Sequence, residues 1–290
     1  MNFRSDLALE ETESLGRDNL PQGVKVDALQ YDSITVNIVD ITSEQGSEAL
    51  GKPVGRYLTV ELPPFYSSNQ STEKEIEALA REIQKLVPEQ GTVLVVGLGN
   101  IHITPDALGP RTCDLCLATR HISGELAKSA GLGNLRPVAA LAPGVLGQTG
   151  IESGEIIRSI VKDLRPCAVI AVDALAARSL ERLGCTIQVS NSGISPGSGV
   201  MNRRFELSKA TLGVEVVSIG VPTVVDAATM VYELAGQEPS LAQQDKARMM
   251  MVTPREVDLL IERAAKVLSL AINHALQPHI SVEDIGYLVS

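Results

Sequence analysis

Two aspartates have the residue type and the placement that hydrolysis of an amide bond requires. Asp106 lies in the segment TPDALGP, a few residues after the apolar run TVLVV at 92–96, and Asp173 follows directly after the apolar run AVIAV at 168–172. Two carboxylates that lie close together do not both ionise easily, so one of them retains a proton near neutral pH. Such a pair supplies a base that activates water and an acid that protonates a leaving amine. The simpler interpretation of Asp173 alone is that it caps a following helix.

Two glycine-containing loops are expected to hold a ligand backbone beside these acids. The first is GLGN at 97–100, where a dinucleotide fingerprint is not indicated because His102 occupies the position of its third glycine. The second is NSGISPGSGV at 191–200, whose N–H groups and hydroxyls are suited to binding a peptide or polarising a carbonyl. The residues predicted to bind substrate are Gly97, Gly99, Asn100, Asn191, Ser192, Gly193 and Ser198.

Serine and cysteine nucleophiles are less well supported than the aspartates. Ser195 lies in a literal G-x-S-x-G match, but Pro196 follows it and has no N–H to donate to an oxyanion. Cys113 and Cys116 have the spacing of a redox motif or half a zinc site, without a second pair. Both fall in a predicted helix, where core packing is the expected role of free cysteines.

A metal site is an alternative use of the same carboxylates. His102 is the only histidine close to the candidate site in sequence, and none lies between His121 and His274. We therefore expect no metal and no cofactor, although a site in which the two carboxylates hold a metal stays open.

Short apolar strands alternate with helical segments through the middle of the chain, and this pattern must position the aspartates. Strands are predicted at 92–96, 138–141, 168–172, 186–189 and 214–219, and helices at about 72–87, 111–121, 154–164, 176–183 and 254–276. Upstream, SITVNIVDI at 33–41 and RYLTVEL at 56–62 alternate apolar and polar residues, which predicts an antiparallel hairpin. The fold class is therefore α/β, a three-layer α/β/α arrangement with a mostly parallel central sheet and a small antiparallel edge extension. Ligands bind such sheets at the carboxyl ends of the strands.

Composition limits the classes of partner. The net charge of −10 disfavours a nucleic-acid partner, and no apolar run is long enough to predict a membrane span. The opening MNFRSDLALEETE lacks the apolar region of a signal peptide, so we expect a cytoplasmic protein with reduced cysteines. Residues 1–30 are predicted to be a mobile, exposed segment, and 31–290 a single domain.

Several long segments resemble the germination proteases of spore-forming bacteria. They are RSDLALE, GLGNIHITPDALGP, APGVLGQTGIE, AVIAVDALAAR, NSGISPGSGVMNRR and GVPTVVDA, and together they extend over most of the chain. The resemblance implies a fold similar to that of the hydrogenase-maturation peptidases. It also implies an atypical aspartic endopeptidase that degrades small acid-soluble spore proteins at germination, with Asp106 and Asp173 as its essential acids.

The same resemblance implies a self-processing zymogen that assembles as a homotetramer in the cytoplasm of the forespore and spore core. The family's substrates carry an acidic residue, a bulky apolar residue and Ala, with another acid downstream. Asp6-Leu7-Ala8-Leu9-Glu10 has this order, so self-cleavage is predicted between Asp6 and Leu7, which releases a leader of residues 1–6. Two other functions stay open, a metal-dependent maturation-type peptidase and a non-catalytic module that binds peptides.

Overall fold

The computed structural model describes residues 5–16, 19–32, 34–67, 73–129, 131–195, 205–236, 247 and 250–289. Within these ranges the strands β1 to β9 are Val24–Tyr31, Ile34–Ile41, Gly55–Glu61, Val93–Gly97, Val138–Leu141, Ala168–Ala177, Thr186–Ser190, Glu215–Asp226 and Met251–Val252. The helices α1 to α11 are Ala8–Leu15, Glu44–Leu50, Glu73–Leu86, Leu108–Asp114, Gly124–Ser129, Leu146–Thr149, Ser153–Leu164, Lys209–Leu212, Ala227–Ala235, Val257–Leu276 and Val282–Leu288.

All nine of these strands join one sheet, in the order β1-β2-β3-β7-β8-β6-β4-β5, with β9 added to the end of β8. The pairs β5/β4, β4/β6 and β6/β8 are parallel. The remaining pairs are antiparallel, so β1, β2, β3 and β7 form an antiparallel extension of the parallel strands. The chain leaves β4 in one direction to form β5 and returns to the other side of β4 as β6, which makes the β4/β6 boundary a topological switch point.

Helices cover both faces of this sheet, as the three-layer α/β/α prediction requires. Val93 and Val95 of β4 pack in a large cluster with α3 and α10, whereas Leu94 and Val96 pack with α7 on the opposite face. Alternate residues of a strand point to opposite faces, so this division follows directly from the run VLVV. On the α7 face, a separate cluster joins α1 to Val39, Ile41 and Tyr57 of the antiparallel strands.

The predicted strands are confirmed more closely than the predicted helices. β2 and β3 pair antiparallel as expected, with α2 between them. The predicted helix at 176–183 is wrong, because β6 continues to Ala177 and is followed by a short 3-10 turn, Leu180–Arg182. β7 had been assigned to the parallel set but is antiparallel to both of its neighbours.

The amino-terminal segment differs most from expectation. We predicted residues 1–30 to be exposed, but Leu7 and Ala8 have no exposed side-chain surface. Leu7 packs against Leu175 and Ala177 of β6, and α1 packs on β2 and β3. Exposure is therefore the wrong description of residues 5–12, and β1 spans the predicted domain boundary at residue 30.

No helix in the described ranges is long and apolar enough to cross a bilayer.

Candidate active site

A cavity of about 440 Å³ opens on the α7 face of the sheet, between the α7 cluster and the α1 cluster. Its floor is polar because the registers of β6, β8 and β7 place Asp173, Gly220 and Gln188 in one row across the sheet. Ser218 and Ser190 pair in the neighbouring row. Both predicted catalytic acids, Asp106 and Asp173, line this cavity. The structure therefore brings together two carboxylates that are 67 positions apart in the sequence.

Asp106 is held by the turn that leaves β4. It ends the 3-10 helix Thr104–Asp106, and its Oδ2 accepts a hydrogen bond of 2.7 Å from the N–H of Asn100. Gly99 has a φ of +114°, and a Cβ there would lie 2.0 Å from the carbonyl oxygen of Asp106. Thr223 of β8 donates to the carbonyl of Pro105 at 2.8 Å. These contacts fix the Asp106 carboxylate from both its own loop and a neighbouring strand.

Two further glycines bring α4 directly onto the end of β4 and the middle of β6. A Cβ at Gly109 would lie 2.2 Å from the Leu98 carbonyl oxygen and 2.4 Å from that of Val172. A Cβ at Gly97 would lie 2.2 Å from the carbonyl oxygen of Gly109. Gly97, Gly99 and Asn100 were predicted to contact substrate, but in the structure they lie behind Asp106 and do not line the cavity.

Asp173 lies within β6, four residues before its end, rather than at its end as the sequence suggested. Parallel pairing with β8 continues through Ala174 and Leu175, so the strand carries the carboxylate on its surface. Asp173 is 6% exposed, and its Oδ1 accepts a 2.9 Å hydrogen bond from the N–H of Ala174. Helix capping, the simpler interpretation of this aspartate, does not apply because the chain remains extended after it.

The predicted loop after β7 forms one wall of the cavity. Ser192, Gly193 and Ser195 line it, whereas the Asn191 side chain turns away to accept a 2.8 Å hydrogen bond from the N–H of Arg56. Gly193 has a φ of +89° and packs against the Leu207 carbonyl. The predicted ligand Ser198 lies outside the described residues.

Sequence analysis missed the polar floor of the cavity. Ser190 makes hydroxyl contacts with Ser192 at 2.7 Å and with Ser218 at 3.1 Å. Gln188 lies two residues before Ser190 on the same face of β7. The signal was present in the run TIQVS, in which Thr186, Gln188 and Ser190 alternate with apolar residues although the strand is fully buried.

Burial raises the pKa values of three other ionisable side chains, Tyr57, Cys113 and Cys116. Burial raises the pKa of Tyr57 to about 12, and its hydroxyl donates to the Pro53 carbonyl at 2.7 Å. Burial likewise raises the pKa of Cys113 to about 11 and that of Cys116 well above its usual value. Neither cysteine lines the cavity, and Cys113 packs in the core as predicted. Across the described ranges, no three His, Cys, Asp or Glu side chains form a group suited to a metal ion.

The cavity lies within the part of the chain that matches a known protein family. A family model described as germination protease matches residues 4–235, which include every residue lining the cavity. The chain belongs to the germination protease family. It is a peptidase, and α10 and α11 lie beyond the matched range.

Similar proteins match over nearly their whole length. The germination protease of Clostridium perfringens is 39% identical over 98% of this chain and 98% of that protein. The germination protease of Caldanaerobacter subterraneus subsp. tengcongensis is 41% identical over 100% of this chain and 98% of its own length. That of Priestia megaterium is 36% identical over 97% of this chain and 93% of its own.

Among solved structures, a [NiFe] hydrogenase maturation protease from Thermococcus kodakarensis matches 66% of this chain and 98% of its own, with 16% identity and a TM-score of 0.38.

Proposed function

We propose that this peptidase is an endopeptidase that degrades small acid-soluble spore proteins during germination, with Asp106 and Asp173 as its catalytic pair. The observation that carries the proposal is that two acids line one cavity, Asp173 on β6 and Asp106 on the turn after the adjacent parallel strand β4. Family membership supports a protein substrate in spores.

The proposed chemistry uses the two carboxylates jointly. One carboxylate takes a proton from water as the water attacks the peptide carbonyl, and the other, protonated, gives its proton to the leaving amine. A backbone N–H donates to each acid, from Asn100 to Asp106 and from Ala174 to Asp173, which holds one oxygen of each group in place. The hydroxyls of Ser190, Ser192 and Ser218 lie on the same cavity and are available to the substrate backbone.

The direct test is cleavage of a purified small acid-soluble spore protein, followed by mass spectrometry. Asp106→Asn and Asp173→Asn are each expected to reduce kcat/KM at least about a hundredfold, since each removes a proton-transfer group. Asp114→Asn, an exposed aspartate on α4 away from the cavity, is the matched control and is expected to retain activity. Ser195→Ala is also expected to retain activity. Near-normal cleavage by either acid variant would remove that acid from the mechanism.

The same assay separates this function from its two rivals. A metal-dependent peptidase would lose activity with chelators, whereas carboxylate chemistry is expected to continue in their presence. A non-catalytic module would bind the spore protein and leave its mass unchanged.

We further propose that the enzyme cleaves its own chain between Asp6 and Leu7 and releases residues 1–6. The support is that Asp6 lines the same cavity as Asp106 and Asp173. Mild acidification is the proposed trigger, because protonation of one carboxylate relieves the repulsion between the pair. Intact-mass measurement before and after a shift to mildly acidic pH tests this. Loss of residues 1–6 is expected in the wild type and not in Asp173→Asn, whereas an unchanged mass in an active enzyme contradicts it.

We also propose that the protein forms a homotetramer in the cytoplasm of the forespore and spore core. Family membership supports this proposal. Helix α9 exposes Val231 and Leu234, apolar surface of the kind that subunit contacts cover. Sedimentation of the purified protein is expected to give four times the chain mass, and a monomer would contradict the assembly.

A further inference from the structure

The amino-terminal segment is bound at the end of β6, just before the chain enters helix α1. The N–H of Asp6 donates to the carbonyl of Ala176 at 2.9 Å, and the N–H of Ala176 donates to Oδ2 of Asp6 at 2.8 Å. Both contacts are made by Ala176, which lies near the end of β6 and three residues beyond the candidate catalytic Asp173. Position 6 is therefore recognised through its backbone and its carboxylate together.

Gln188 contacts the backbone on both sides of Leu7. Its Oε1 accepts from the N–H of Ala8 at 2.8 Å, and its Nε2 donates to the carbonyl of Asp6 at 3.1 Å. Gln188 is only 8% exposed and projects from β7, so its amide group is held rigidly by the sheet. These two bonds engage main-chain groups, so they do not depend on the side chain at position 7.

The side chains of the segment occupy sites of defined chemistry. Leu7 is fully buried in an apolar pocket formed by Leu175, Ala177, Leu183 and Val225. Ala8 is fully buried against a second cluster, where a larger side chain has no room.

Glu10 is the second acid of the segment, and the end of β6 receives its carboxylate. Glu10 is 4% exposed, and it accepts hydrogen bonds from the N–H groups of Arg178 and Ser179 at 2.7 and 2.9 Å. Arg182 lies 3.8 Å from the same carboxylate. A neutral side chain at this position would leave the two N–H groups without their buried acceptor.

We infer that Asp6–Glu10 occupies, within its own chain, the groove that binds the substrate, and that Gln188 is a substrate-binding residue of this groove. Asp6, Leu175 and Gln188 line the cavity that holds Asp106 and Asp173, so the groove is continuous with the candidate catalytic site. The groove receives the carboxylates of Asp6 and Glu10 on backbone N–H groups of Ala176, Arg178 and Ser179, with the fully buried Leu7 between them. The inference rests on the proposed function, because it assigns this groove to the peptidase's substrate.

The test measures binding rather than cleavage, with a fluorescein-labelled peptide of residues 5–16 and the full-length protein. In the wild type the chain's own segment competes, so weak binding is expected. Glu10→Ala weakens the attached segment, and the peptide brings its own glutamate to the N–H groups of Arg178 and Ser179. This variant is expected to bind the peptide at least tenfold more tightly.

The double variant Glu10→Ala/Gln188→Ala should bind the peptide at least tenfold more weakly than Glu10→Ala alone. Adding Gln84→Ala is the matched control, because Gln84 bonds Ala275 away from the groove, and it should leave peptide binding unchanged. An unlabelled small acid-soluble spore protein should displace the peptide from Glu10→Ala.

Three results would overturn the inference in protein that remains folded by circular dichroism. They are failure of Glu10→Ala to bind the peptide, binding that is insensitive to Gln188→Ala, and failure of the spore protein to compete. The last result would mean that the groove serves only the chain's own amino terminus. Peptide binding and competition without any cleavage would instead count against the proposed function and leave the groove assignment standing.

Discussion

Replacing Gly99 by alanine should disable the candidate site with only a moderate loss of stability. The added Cβ would meet the Asp106 carbonyl oxygen at 2.0 Å, whereas ordinary contacts begin near 3.4 Å, so the Asp106 turn must retreat by about 1.4 Å. A misplacement of about 1 Å in a catalytic group costs on the order of a hundredfold in rate. We therefore expect kcat/KM for a spore-protein substrate to fall at least about a hundredfold.

Backbone strain contributes a separate effect that a second variant measures. Gly99 has a φ of +114°, and such strained positions cost about 1–3 kcal/mol when they carry a side chain. Gly213 has a φ of +73° with no atom within 4 Å of its added Cβ, and it lies at the end of α8 away from the cavity. Gly213→Ala should therefore lower Tm by a few degrees without changing kcat/KM.

The comparison of the two variants decides whether the position of Asp106 matters. Thermal unfolding and steady-state cleavage should be measured on both proteins, with the acid pair intact. If Gly99→Ala folds and cleaves as fast as Gly213→Ala, then either the turn shifts without moving the carboxylate or Asp106 takes no part in the chemistry. That result would refute the reasoning from the Gly99 contact.

Two further predictions concern groups whose pKa values are raised by burial. Because the pKa of Cys113 is raised to about 11, the thiol should resist iodoacetamide at pH 7.5 in the folded protein and react once urea unfolds it, as followed by mass spectrometry; fast labelling of the folded protein would contradict its core position. The pKa of Tyr57 is raised from 10.0 to about 12, so folding favours the neutral phenol. This contribution to the free energy of unfolding is complete below pH 10 and is lost as the pH rises from 10 to 12. Urea titrations at pH 9 and 11 should show a smaller loss for Tyr57→Phe than for the wild type, and equal losses would be evidence against the buried phenol.

The parallel strands could be predicted because they are buried on both faces. Runs such as AVIAV contain β-branched and small apolar residues with no polar side to orient them, which is typical of a central strand. Since such strands end at one edge of the sheet, the sequence also predicted that Asp106 and Asp173 would share a site. The shared cavity agrees with that reasoning, although Asp173 lies within its strand.

The features that could not be predicted depend on partners far away in the sequence. The run ALAARSLERL has the composition of a helix, but pairing with β8 keeps its first residues extended, so tertiary contacts override local propensity. The burial of Leu7 requires a pocket formed by residues between 175 and 225, which local patterns do not reveal. Gln188 was missed because a single polar residue in a short strand gives no signal until its register is known.

The docking of Asp6 and Ala8 onto β6 and β7 has a consequence for how the protein is made. Asp6 and Ala8 bond to Ala176 and Gln188, partners that follow them by 170 and 180 positions. A ribosome that adds about 5–20 residues per second delivers these partners roughly 10–30 s after the segment has emerged. Throughout that interval α1 has only its contacts with β2 and β3 to form, and Asp6 and Ala8 gain these hydrogen bonds only when β6 and β7 have joined the sheet. The covering of the cavity therefore has to wait for β6 and β7, two of the three strands that form the cavity floor.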